Sequence, residues 1–344
     1  MNLYLSPFVG FLITILSIEL IKKYSYIAFP KKFHPIRNDL VIDHSGKKNI
    51  TPFGGLAMLF GLAGGVLTLT VCKYFVKGDV LFTRHFGLCC FIIIACFSIG
   101  FVDDLLKVAK QNTKGLNARF RLVLEILLAS LIVFFIATRG TFNPKLINLS
   151  LTITIVPIPF FGIKVFNLGY FYYPLAIFTF VAILNSFNLT DGLDGLAGTQ
   201  FVQMAIAMLV VLVVAFNYGL FSIICIALFC VFGFLIYNSH PASIFMGDSG
   251  SLMLGSIIGL VTINLHIEFA LLFIAFIPFC ESLSVILQVA SFKTRGKRIF
   301  KIAPVHHHFE ALGHKETKIV MSFFVVACLI SAIVVSPFFL NGIN

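Results

Sequence analysis

Charge is scarce in this sequence: only 11% of its 344 residues are Asp, Glu, Lys or Arg. So little charge, with 59% hydrophobic residues and a mean hydropathy of +1.02, excludes an ordinary soluble globular protein. It fits a polytopic membrane protein, whose helices satisfy their own backbone hydrogen bonds in lipid. A disulfide framework or zinc site is also missing. The eight cysteines lie mostly inside apolar runs, without ligand-like spacing, and behave as small hydrophobes. No large soluble segment, domain boundary or internal repeat interrupts the chain. It reads as a single integral membrane domain over 1–344.

What is present is a series of apolar runs. A spanning helix needs about 20 apolar residues. Ten runs qualify, at roughly 3–22, 53–72, 86–102, 120–138, 172–188, 197–216, 220–237, 250–264, 268–290 and 319–340, the eighth being short. The expected fold is therefore all-α, with about ten transmembrane helices. The first run has no basic region before it and no small-residue cleavage site after it, which predicts a retained helix. Basic residues follow it, which places the N-terminus outside. Threading ten spans from there puts 19 of the 25 Lys and Arg in inner segments, at 22–52, 103–121 and 291–318. Both termini are then outside (periplasmic). The longest outer connection, 139–171, contains LSLTITIVPIPF, whose partial alternation and β-branched residues predict a small β-hairpin. The net charge of +11 has two readings. One is topology with attraction to anionic lipid headgroups; the other is a site for a phosphorylated substrate. Basic charge spread over short membrane loops argues against nucleic acid.

Five polar stretches fall on the inner side: HSGKKNITPFGG (44–55), DDLLK (103–107), NLTDGLDG (188–195), NSHPASIFMGDSGS (238–251) and APVHHHFE (303–310). Five loops on one face of a bundle can converge on one site. Asp103, Asp104, Asp191, Asp194 and Asp248 would repel one another unless a divalent cation joined them. Any one of them alone is better read as a helix-end residue or cap. The glycines beside them let backbone approach a ligand, and MGDSGS opens a helix with free N–H groups suited to an anion. Asn238 and Phe245 add an amide and a ring that could read and stack on a base. His306, His307 and His308, after Lys297, Arg298 and Lys301, suit phosphate or sugar contacts better than a metal. In the ninth run, Glu281, Ser284, Gln288 and Ser291 are spaced 3, 4 and 3, a polar stripe on one helix face. A carboxylate in a span faces a cavity or a partner. Pro278 is expected to bend that helix.

Taken together, IGFVDDLLK, NLTDGLDGLAG, FMGDSGSLMLG and SVILQVASFKTRGKRIFKIAPVHHHFE resemble the polyprenyl-phosphate N-acetylhexosamine-1-phosphate transferase superfamily, of glycosyltransferase family 4 type. The resemblance runs from about Arg37 to Lys318, and the APVHHHFE stretch favours the muramoyl-pentapeptide branch. It implies an Mg²⁺-dependent enzyme of the bacterial inner membrane with its active site facing the cytoplasm. The expected reaction moves phospho-N-acetylmuramoyl-pentapeptide from UDP-N-acetylmuramoyl-pentapeptide to undecaprenyl phosphate, giving UMP and lipid I. By motif match, Asp103, Asp104 and Asp248 are the catalytic and metal-linked carboxylates, and Lys107 lies beside the phosphates. Asn188, Asp191 and Asp194 line the nucleotide site, Asn238 and Phe245 meet the uracil, and His306, His307 and His308 complete the pocket. Gln288 and Lys48 are further substrate-binding candidates. The first inner loop departs from the family's Gly-Thr-Pro-Thr-Met-Gly-Gly, reading NITPFGG at 49–55, so Lys47 and Lys48 both remain counterparts of the family lysine. Membrane lipids are expected partners, and a homodimer is allowed. The rival readings are a transferase using UDP-N-acetylglucosamine and, from another class, a membrane transporter. A transporter would place polar residues near the midplane of several spans.

Overall fold

A computed structural model describes residues 5–28, 50–76, 84–111, 115–139, 153–158 and 162–341. Lys47 and Lys48 lie outside the described residues. The helices are α1 (Leu5–Ala28), α2 (Gly54–Val76), α3 (Arg84–Lys110), α4 (Ala118–Arg139), α5 (Tyr172–Thr190), α6 (Leu196–Val214), α7 (Tyr218–Asn238), α8 (Gly247–Leu265), α9 (Glu268–Ile274), α10 (Phe276–Arg295), α11 (Val305–Ala311) and α12 (Glu316–Asn341). Among the described residues, ten helices are long and apolar enough to cross a membrane; α9 and α11 are the short exceptions. Between α4 and α5, strands β1 (Ile153–Ile158) and β2 (Gly162–Asn167) pair antiparallel, with Ile155 opposite Val165.

The core sits around α8. Every residue from Ser249 to Leu265 is buried. This helix packs against α2, α3, α5, α6 and α7. Its small residues let neighbours come close, as where Gly259 meets the Phe180 ring. That explains why the eighth apolar run is the shortest: walled by protein, α8 has no lipid to face. The outer helices instead turn large apolar side chains outward, among them Leu67, Phe134, Phe178 and Leu329.

The ninth run breaks three residues before Pro278, where a proline that cannot bond the Ile274 carbonyl is expected to interrupt a helix. The helix is interrupted at Ala275, whose φ of −101° and ψ of 35° leave the α region, and α10 starts before the proline. Pro278 stands in the first turn of α10, where its missing N–H would have had no helical partner. The polar stripe on α10 has a local purpose. Gln288 Nε2 donates to Phe300 O (3.0 Å), and its Oε1 accepts the N–H groups of Ile299 (2.9 Å) and Phe300 (3.0 Å). Ser291 Oγ donates to Lys297 O at 2.9 Å. The stripe folds the basic segment after α10 back onto the helix that precedes it.

Candidate active site

Four of the polar stretches and the described part of the first, 50–55, meet through direct contacts at one end of the bundle. Near the end of α3, Asp104 turns toward the N-terminus of α8. Its Oδ1 accepts the N–H of Asp248 and its Oδ2 that of Ser249, both at 2.9 Å. Those N–H groups belong to the first helical turn and have no partner inside α8. A carboxylate there satisfies them and favours the helix dipole. The chain reaches α8 through Gly247 at φ +73°, where a Cβ would stand 2.3 Å from Pro52 O. Only glycine fits that approach. The first inner loop is clamped alongside: Gly54 N donates to Phe245 O (2.8 Å), Phe245 N to Thr51 O (2.9 Å) and Gly55 N to Met246 O (2.9 Å).

One turn of α3 carries Asp103, Asp104 and Lys107. Asp103 Oδ1 accepts Leu116 N at 2.5 Å, and Lys107 Nζ lies 2.6 Å from Asp103 Oδ2. The same ammonium is 3.0 Å from Asp248 Oδ2. Arg121, near the start of α4, reaches Asp248 Oδ2 from the other side at 3.1 Å. Its Nη2 donates to Asn185 Oδ1 (3.3 Å), and its Nε stands 3.5 Å from Glu125 Oε1, one turn along α4. Asn185 Nδ2 in turn donates to Glu125 Oε2 at 2.5 Å. Asn188 donates to Ser251 Oγ at 2.8 Å and also reaches the Asp248 carboxylate. Two carboxylates, Asp103 and Asp248, thus stand within hydrogen-bond reach of each other with two cations beside them.

The loop after α5 forms the adjoining wall. Burial, followed by the charges of Asp248, Asp104 and Asp194, pushes the Asp191 carboxyl up to about 8, partly offset by the donating N–H of Gly247. Asp194 joins three segments. Its Oδ2 accepts Ala242 N (3.1 Å) and lies 3.1 Å from His240 Nδ1, while its own N–H donates to Glu316 Oε1 at 2.5 Å. His240 Nδ1 is also 3.3 Å from Glu316 Oε2.

The remaining candidates divide. His306 is brought to this wall, because a Cβ on Gly192 would lie 2.2 Å from its Nε2. His307 stays with Glu310, one helical turn away, at 2.6 Å, and His308 Nδ1 accepts Lys301 N at 3.2 Å. Asn238 is a brace: its Oδ1 accepts Gly195 N (3.0 Å) and its Nδ2 donates to Ile244 O (2.9 Å). Phe245 is half-buried beside the site. Gln288 has both ends of its amide on residues 299 and 300 rather than on the aspartates.

The residues present fit a divalent cation at Asp103 and Asp248. Both offer hard oxygen donors, and Asn188 adds an amide at Asp248. Magnesium prefers one or two carboxylates completed by water and substrate phosphates. Asp104 differs, since each of its oxygens already holds a backbone N–H. Among the described residues, the group that brings three potential ligand atoms within 4.8 Å is Asp194, His240 and Glu316, already joined by the contacts above.

The family model described as "Glycosyl transferase family 4" matches residues 86–266, from α3 through α8. A relative from Nautilia profundicola, a phospho-N-acetylmuramoyl-pentapeptide-transferase, is 35% identical, covering 96% of this chain and 92% of its own length. One of the same name from Staphylococcus carnosus is 37% identical over 95% of this chain and 96% of its own. A third, from Kosmotoga olearia, is 43% identical over 68% of this chain and 69% of its own. The chain belongs to glycosyl transferase family 4.

Reading this family 4 chain from sequence missed Arg121, Glu125, Asn185, His240 and Glu316. A signal existed for the first two: Arg121 and Glu125 are spaced i, i+4 at the head of an apolar span, where charge is costly and functional. His240 lay inside a quoted stretch, but nothing local shows that Asp194 and Glu316 close around it.

Proposed function

We infer that this chain transfers phospho-N-acetylmuramoyl-pentapeptide from its UDP carrier to undecaprenyl phosphate, giving lipid I and UMP. The observation that carries this is the likeness, over nearly the whole chain, to transferases of that name. The geometry supplies a coherent mechanism. Two anionic substrates must meet, so positioning and fixed positive charge do most of the work. Lys107 and Arg121 provide that charge beside Asp248. A magnesium ion held by Asp103 and Asp248 would offset the charge of the diphosphate and the departing UMP. Asp103 orients the acceptor phosphate or takes its last proton. The acceptor oxygen attacks the sugar-linked phosphorus, and the bond to the UMP oxygen breaks. Asp191, Asp194 and Phe245 line the nucleotide site. Asp104 keeps the N-terminus of α8 in place.

The charge asymmetry supports an inner-membrane protein with this end of the bundle in the cytoplasm and both termini outside. A single Cys placed in 294–302 of a Cys-free variant should label only from the cytoplasm; labelling of intact cells from outside would reverse the arrangement.

The deciding assay is UMP release by purified protein from UDP-N-acetylmuramoyl-pentapeptide, with and without undecaprenyl phosphate. Turnover should require both. Preference for UDP-N-acetylglucosamine would favour the sister reaction. Direct attack also requires that no stoichiometric UMP appear without lipid. A burst of one UMP per site, lost in Asp103→Asn, would make Asp103 a covalent nucleophile instead.

A further inference from the structure

Glu281 on α10 is completely buried, and His306 on α11 is 1% exposed. The two meet twice. His306 Nδ1 lies 3.1 Å from Glu281 Oε2, and the backbone N–H of His306 donates to the same oxygen at 3.3 Å. A buried carboxylate in a span is costly unless a partner compensates it. Holding the ring by one nitrogen fixes which way the other points, as a carboxylate does behind many functional histidines. Here the other edge of the ring presses on Gly192, in the space a Cβ would need. Neither ring nitrogen of His306 makes a hydrogen bond: Nδ1 meets Glu281 Oε2 as an ion-pair contact, the backbone N–H supplies the hydrogen bond to that oxygen, and the contact of the Nε2 edge with Gly192 is one of shape. Gly192 sits between Asp191 and Leu193, two residues before Asp194. Asp191 in turn receives the Gly247 N–H at the head of α8.

We propose that Glu281 is a positioning residue: it holds the His306 ring beneath Gly192 and so sets the loop that carries Asp191 and Asp194. The inference rests on the functional reading above, since it assigns this loop to the nucleotide. It also ties α10, whose Leu283, Ile286 and Val289 are exposed on the lipid-facing surface, to the nucleotide side of the site.

The experiment approaches the contact from both sides. Glu281→Gln keeps the size of the side chain but removes its charge. Gly192→Ala pushes the ring away from the loop. Each should raise the KM for UDP-N-acetylmuramoyl-pentapeptide about tenfold, with kcat and the KM for undecaprenyl phosphate within about twofold. Because both act through one contact, the double variant should be no worse than the poorer single. His306→Asn retains a polar atom near the Nδ1 position and removes the outer ring edge, so it should relieve Gly192→Ala. Multiplying losses in the double variant, equal losses for both substrates, or an unchanged KM in Gly192→Ala would overturn the proposal. Wild-type turnover is the separate control: its absence would sink the functional reading, whereas the ratios between variants test only this contact.

Discussion

The Asp104 carboxylate accepts the backbone N–H of Asp248 at 2.9 Å, so one aspartate of the cluster is anchored by the main chain of another. The neighbouring Asp103 has a different set of partners, Lys107 and the N–H of Leu116. Adjacent carboxylates in the sequence therefore have separable roles.

Asp104→Ala should destabilise the fold by about 1–2 kcal/mol through loss of a helix cap. Asp104→Asn, which retains one accepting oxygen, should fall between. Asp103→Asn should abolish turnover with little change in stability. Thermal unfolding in detergent alongside UMP release checks all three; equal stability loss for the two positions would contradict the division.

Turnover should vanish in EDTA and return with Mg²⁺ or Mn²⁺. Asp248→Asn should lower kcat on the order of 10²–10³-fold while the protein still inserts and folds. Full activity of that variant in EDTA would remove the metal from the scheme.

Arg121→Ala leaves Glu125, fully buried, without its cation. Breaking a buried pair from one side costs about 3–5 kcal/mol. Adding Glu125→Gln should recover most of that stability but not the activity, because Asp248 still lacks its guanidinium. Recovery of both would mean that Arg121 serves the fold alone.

Asp191 makes stability depend on pH. Its folded carboxyl titrates at about 8, far above the ordinary value near 4, so the fold favours the neutral form. The contribution is complete below about pH 4 and is lost as pH rises to about 8, the range set by its unfolded and folded values. Melting temperatures in EDTA should therefore fall across this range, and fall less in Asp191→Asn. An identical slope in both proteins would exclude Asp191 as the group responsible.

The sequence announced the site because polar loops stand out against an apolar background. DDLLK, NLTDGLDG, MGDSGS and HHH are visible for that reason, and the structure joins all four. The work each residue does was less legible. Nothing in VDDLLK distinguishes the cap Asp104 from Asp103; the difference comes from where α8 begins, at Gly247, far along the chain. Asn238 and Gln288 looked like ligand-reading amides, yet both are fully engaged with nearby backbone. The break at Ala275 was legible through Pro278, because a proline loses its hydrogen bond to, and crowds, the carbonyl one turn upstream, so the interruption falls before the proline rather than at it.

The burial of α8 also bears on how the protein meets different bilayers. Its outer helices must match the thickness of the hydrocarbon layer, by tilting or by deforming the lipid around them. From Ser249 onward, α8 touches only protein. Thinning or thickening the membrane therefore strains the rim of the bundle, while the helix that presents Asp248 is shielded from the mismatch. The depth of the reacting centre is set by the protein's own packing rather than by the lipid in which it sits.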